Sequence, residues 1–118
     1  MINVKKACNI MIDVKICGLT TESSVLQSVE CGARYVGFVF YKKSPRYVDI
    51  NRVQQLSELV TANVKKVGLF VNPTIRELEK YTVKVSLDYI QLHGNEAPDY
   101  IKQIKASFGI PIIKAIGV

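Results

Sequence analysis

Three groups of residues in this chain have the types and spacing for proton transfer and anion binding. The first is Lys15-Ile16-Cys17-Gly18. A short apolar run closes at Cys17 and gives way to Gly18, Leu19, Thr20 and Thr21, the pattern of a strand breaking into a glycine turn and then a helix start. A thiol at the carboxyl end of a strand faces the rim where α/β folds bind ligands and do chemistry. Strand alternation puts Lys15 on the same face, and a nearby ammonium favours thiolate over thiol, so Cys17 reads as a base with Lys15 as its activator. The second group is Gln91 and His93, again two apart, in a strand cut by Gly94. The third is the loop from Tyr41 to Tyr47, which carries Arg46, a planar fork suited to carboxylate or phosphate. Lys114 adds a cation near the end of the last strand. Each has a plain structural explanation as well. A cysteine is commonly a buried hydrophobe, a rim histidine is satisfied by its turn, and lysines snorkel to solvent. Their gathering toward the same strand ends points to one shared pocket.

The elements that must position these groups alternate between two periods. Strands are expected at 11–17, 35–41, 64–71, 89–93 and 110–116, and helices at 23–31, 49–60, from the Asn72-Pro73-Thr74 opening to about 84, and at 96–108. Val25, Leu26 and Val29 fall at helical spacing, as do Val53, Leu56, Leu59 and Val60, and then Ile75, Leu78 and Tyr81. Asp49 or Asn51 is a natural cap for the second helix. The run Tyr35–Tyr41 (YVGFVFY) is apolar throughout, as in a strand buried on both faces. The order βαβαβαβαβ means an α/β fold with a parallel sheet and right-handed crossovers. A barrel of eight such units needs ~200 residues or more. These 118 residues therefore form either a complete five-stranded open sheet or the front half of a barrel.

Composition narrows the class. Apolar residues make up 48 % and charged residues 22 %, which is a globular composition, and no apolar run approaches a membrane span. Cys8, Cys17 and Cys31 have neither disulfide-framework nor metal-site spacing, which fits a reducing, cytoplasmic setting. The net charge of +6 suits nucleic acid or small anionic substrates. The lysines come in ones and twos without a basic block, and aromatics are only 8 %, so small anions are expected and nucleic acid is not.

Taken in order, the segments VKICGLT (14–20), ECGARYVGFVFYKKSPRYV (30–48), KVGLFVN (66–72), DYIQLHGNE (88–96) and PIIKAIGV (111–118) resemble phosphoribosylanthranilate isomerase of tryptophan biosynthesis. The resemblance implies a (β/α)8 TIM barrel that converts N-(5-phosphoribosyl)anthranilate to its 1-deoxyribulose isomer by an Amadori rearrangement. It implies no metal and no organic cofactor. It makes Cys17 the general base that takes the proton from the sugar C2, and Arg46 the holder of the anthranilate carboxylate. Lys15, Gln91 and His93 line the site in the same comparison. The resemblance begins at Met11, so residues 1–10 are expected to be an extension and residues 11–118 the N-terminal half of the barrel. The family's general acid, an aspartate ending strand six, and its phosphate loops after strands seven and eight have no counterpart among these residues. Asp88 begins a strand and Asp99 lies in a helix, so neither substitutes. The 118 residues by themselves are thus expected to lack competence. Two other readings stay open at this point. One is a non-catalytic half-barrel module that self-associates through its open edges. The other is a different phosphosugar barrel enzyme, such as an epimerase or the tryptophan synthase α subunit, which the KICG thiol and the SPRY arginine disfavour.

Overall fold

The structure, a computed structural model, describes residues 13–116. Among them five strands alternate with four helices: β1 (Lys15–Cys17), α1 (Glu22–Glu30), β2 (Tyr35–Val39), α2 (Ile50–Ser57), β3 (Lys65–Phe70), α3 (Ile75–Lys84), β4 (Tyr89–Leu92), α4 (Pro98–Phe108) and β5 (Ile112–Lys114). The expected extension over residues 1–10, and the start of strand one at Met11, lie outside the described residues.

All four strand pairs are parallel, and the order in the sheet is β1-β2-β3-β4-β5. A doubly wound open sheet reverses its strand order at a switch point; this one does not. Right-handed crossovers without a reversal put every helix on one side of the sheet. The core agrees. Val36, Phe38, Phe70, Ile90 and Leu92 share one face through the strand register, and they pack with Val25, Val53, Leu56, Leu78 and Ile104 from the four helices. The other face carries Lys15, Cys17, Tyr35, Gly37, Val39, Val67, Leu69, Tyr89, Gln91 and Ile113. Of the two architectures left open by the sequence, the winding is that of a barrel sector.

The sheet is curled toward that second face. The Lys15 ammonium donates to Oε1 of Gln91, although β2 and β3 lie between their strands. Three interstrand spacings amount to ~14 Å along a flat sheet, beyond what these two side chains span, so the strands bend toward one another. The rings of Tyr35 on β2 and Tyr89 on β4 also meet across β3, edge to face, with centroids 5.8 Å apart.

Local chemistry sets the helix starts. Thr21 caps α1 in a reciprocal box with Ser24, Asp49 caps α2 by accepting from Arg52 N at 2.8 Å, and Thr74 caps α3 by accepting from Glu77 N at 3.1 Å. Asp49, not Asn51, is therefore the cap. Strands β2 and β5 are shorter than the expected 35–41 and 110–116, and two helices differ from expectation for local reasons. The helical hydrogen bonding of α2 tightens at its end, where Leu59 N donates to Leu56 O and Val60 N to Ser57 O, so the helix stops at Ser57 rather than at residue 60. Helix α4 starts at Pro98, whose ring suits the first helical position, rather than at Glu96, whose carboxylate is engaged elsewhere. Leu26, expected on the buried stripe of α1, is 49 % exposed.

Candidate active site

Cys17 ends β1 directly opposite Gly37 of β2. A β-carbon on Gly37 would stand 2.8 Å from Cys17 Sγ, closer than real atoms approach, so the absence of a side chain there makes room for the thiol. The chain then turns at Gly18, whose φ of +81° is a left-handed conformation that glycine adopts without strain. Gly18 N and Leu19 N both donate to Gly37 O, at 2.9 and 3.2 Å, which pins this turn to β2.

The same turn brings in Arg46. Arg46 Cδ, Nη1 and Nε lie 2.5, 3.2 and 3.4 Å from the position a Gly18 β-carbon would take, so the side chain lies across the glycine that follows Cys17. The loop after β2 is folded back to place it there. Ser44 N donates to Tyr41 O, Arg46 N to Ser44 Oγ, Tyr47 N to Ser44 O, and Val48 N to Val39 O. Arg46 is exposed, as a group that receives a ligand must be.

Lys15 and Gln91 are brought together on the concave face by their mutual hydrogen bond. His93 follows β4; its backbone N–H donates to Phe70 O at 2.9 Å while the residue is exposed. Cys17, Arg46, Lys15, Gln91 and His93 thus stand on the concave face or the adjoining carboxyl rim.

Lys114 departs from this grouping. Its register with Leu92 puts it on the helix-facing side of β5, and its ammonium donates to Gly94 O and pairs with Glu96 Oε1 at 2.6 Å. It is a half-buried structural cation and not part of the shared pocket, because the buried carboxylate of Glu96 captures it. Asp88 and Asp99 stand where the sequence puts them. Asp88 precedes β4, at the amino end of the strands, and accepts from Lys66 N at 2.8 Å; Asp99 is exposed in the first turn of α4.

Glu96 is the residue that sequence reasoning missed. Its side chain is fully buried, and besides Lys114 it accepts from Asn72 N at 2.8 Å and from Gly94 N at 3.0 Å. Asn72, with φ of 45°, accepts from Asn95 N at 2.8 Å through its side chain. This network ties the ends of β3, β4 and β5 together. Burial pushes the Glu96 carboxyl up, but the Lys114 ammonium and the backbone N–H of Asn72 outweigh it and hold the group below the ordinary carboxylate value. The signal was the glutamate of the HGNE segment, two residues before a proline that must open a helix.

A separate hollow of about 300 Å³ opens beside the rim between the loop after β2 and helix α3, with Phe40 and Tyr81 among its lining and Lys42, Lys43 and Lys80 around it. Neither Cys17 nor Arg46 lines it.

A consecutively wound parallel sheet, curled toward a face that carries a thiol, an arginine and a lysine–glutamine pair at its carboxyl rim, defines a sector of an α/β barrel of the enzyme type. Comparison with known proteins gives the particular family. The sequence model of the N-(5'-phosphoribosyl)anthranilate (PRA) isomerases matches residues 14–118, and the chain belongs to that family. It is 49 % identical over 107 residues to N-(5'-phosphoribosyl)anthranilate isomerase of Paracoccus denitrificans, covering 91 % of this chain and 50 % of that protein. The phosphoribosyl anthranilate isomerase of Thermotoga maritima superposes with a TM-score of 0.85 at 41 % identity, over 92 % of this chain and 52 % of that one. A crystal structure of the isomerase in complex with reduced 1-(o-carboxyphenylamino)-1-deoxyribulose 5-phosphate superposes equally well, over 55 % of its chain. The chain spans about half the length of the curated relatives it matches.

Proposed function

We propose that these residues supply the base side of a phosphoribosylanthranilate isomerase site in tryptophan biosynthesis. The reaction converts N-(5-phosphoribosyl)anthranilate to 1-(2-carboxyphenylamino)-1-deoxyribulose 5-phosphate. The observation that carries this reading is the placement of Arg46 across Gly18, next to Cys17. A fork that grips a benzoate carboxylate then holds the aminosugar beside a thiol. Protonation of the furanose ring oxygen breaks its bond to C1 and leaves a C1=N iminium. Cys17 Sγ takes the C2 proton, and the C2–H electrons form the C1=C2 bond of an enolamine as the C1=N pair returns to nitrogen; the enolamine then tautomerises to the aminoketone. Lys15 and Gln91 line the concave face and His93 the rim. The carboxyphenylamino ligand held by the structural neighbour fits a site of this chemistry.

The acid that opens the ring and the phosphate anchor belong to later strands in the family pattern. A positioned acid contributes ~10²–10⁴-fold, so the 118 residues assayed alone should turn over substrate at well below a tenth of an ordinary isomerase's rate. The test is to join residues 11–118 to the second half of the Paracoccus denitrificans relative and to follow the loss of substrate fluorescence. Cys17→Ala in that protein is expected to lower kcat by ~10²–10⁴-fold with KM little changed. An unchanged kcat removes Cys17 from the mechanism.

One observation favours a second reading, an interaction module. Tyr35, Leu69, Tyr89 and Ile113 on the concave face are only partly buried, and among the described residues β1 and β5 each pair on one side. Two copies pairing through those edges would cover both features. Sedimentation showing a folded monomer at micromolar concentration argues against it. Among the described residues no helix is long and apolar enough to cross a membrane, and a cytoplasmic location follows from the proposed pathway role.

A further inference from the structure

Arg46 is exposed and sits in a loop, yet its guanidinium must meet a carboxylate at a fixed place. Two contacts outside the reacting groups bear on where it points. One is Gly18, whose missing side chain leaves the space that Arg46 Cδ occupies; a β-carbon there would stand 2.5 Å away. The other is on the far side of the loop. Tyr47, the next residue along, shares a hydrogen bond of 3.3 Å between its hydroxyl and that of Tyr81 on α3. Tyr81 is itself immobilised. It is 5 % exposed, its ring stacks on Phe40 with centroids 4.2 Å apart and an interplanar angle of 13°, and it meets Phe70 edge to face at 5.7 Å. Burial and the Tyr47 hydroxyl push the Tyr81 phenol well above its ordinary value, so the proton needed for the bond stays in place through the neutral range.

We infer that Gly18 and Tyr81 are positioning residues for Arg46: Gly18 is the seat across which the arginine lies, and the Tyr81–Tyr47 hydroxyl pair is a latch that holds its loop to α3. Neither touches the carboxylate; both act by limiting the orientations of the guanidinium before the ligand arrives, which lowers the ordering cost of binding. The inference deepens the proposed function and rests on Arg46 being the carboxylate anchor.

The seat is the stronger of the two. Alanine at position 18 meets both the left-handed backbone conformation and the arginine, so it displaces Arg46 or strains the turn. Phenylalanine at position 81 keeps the stack on Phe40 and removes only the hydroxyl.

The experiment uses the 118-residue chain and two probes, 2-(methylamino)benzoate and N-methylaniline, which differ by the carboxylate. Binding is followed by NMR titration of wild type, Arg46→Ala, Gly18→Ala and Tyr81→Phe. The carboxylate probe is expected to bind about tenfold more weakly to Arg46→Ala and to Gly18→Ala, and about threefold more weakly to Tyr81→Phe, with N-methylaniline unaffected in all three. If Arg46→Ala binds the carboxylate probe like wild type, the anchor reading fails. If Arg46→Ala weakens and both Gly18→Ala and Tyr81→Phe bind like wild type, the positioning inference is overturned while the anchor stands. Equal weakening toward both probes also overturns it, since that marks general damage. A measurement without ligand keeps the inference testable if both probes bind too weakly to titrate. The Nε–H order parameter of Arg46 should fall in Gly18→Ala and Tyr81→Phe, and unchanged order in both overturns the inference.

Discussion

The helix-facing side of the sheet and its concave side come from the same five strands, yet they bury differently. On the first, Val36, Phe38, Phe70, Ile90 and Leu92 have essentially no exposed surface and close onto four helices. On the second, Val67 and Val39 are buried, while Lys15, Cys17, Tyr35, Leu69, Tyr89, Gln91 and Ile113 keep part of their surface open. Every polar group assigned to chemistry within a strand is on the open side. The difference teaches that the two tasks are divided by strand alternation itself: one parity of residues makes a core with its own helices, and the other parity is left for a site.

That division can be broken by truncating each side in turn. Phe38→Ala should cost ~3–5 kcal/mol of unfolding free energy, because its ring is fully buried in the helix-facing core. Urea unfolding gives the number; a loss under about 1 kcal/mol would mean that the helices do not hold this face. Glu96→Gln comes next, at about 1–3 kcal/mol, since it leaves the Lys114 ammonium and the Asn72 and Gly94 N–H groups with a poorer acceptor. The sign of its pH dependence is fixed. Glu96 titrates lower in the folded chain than its ordinary 4.5, so its charge stabilises the fold at pH above that value, and the stabilisation is lost as pH falls through the folded value. The gap between wild type and Glu96→Gln should therefore narrow on acidification below pH 4.5, and a gap that widens there contradicts the assignment. Leu69→Ala, on the concave side, should cost about 1 kcal/mol or less because that side chain is only partly buried. A cost equal to that of Phe38→Ala would erase the comparison.

Much of the fold was legible in the sequence because strand and helix periods alternate without interruption. Gly18, Thr21 and Asp49 punctuate the chain where hydrogen bonding requires. That Cys17 shares a face with Lys15, and Gln91 with His93, was legible in their period-two spacing. Lys114 was not, because alternation tells which residues share a face and not which face. Only the pairing of Leu92 with Lys114 settles that it faces the helices. Glu96 was absorbed into a helix for a similar reason. A carboxylate just ahead of Ala97-Pro98 looks like a first-turn acid until the Lys114 partner, 18 residues later, is placed beside it. The contact of Arg46 with Gly18 joins two loops and leaves no trace in local pattern.

The strand order has one further consequence, for how the chain is made. Among the described residues each strand pairs with its immediate neighbours in the sequence. Sheet contacts are thereby kept between segments made in succession, so no pairing has to close more than one helical crossover. A chain emerging from the ribosome amino end first can dock each strand and helix onto the previous pair as it appears, and nothing already paired has to open to admit the next.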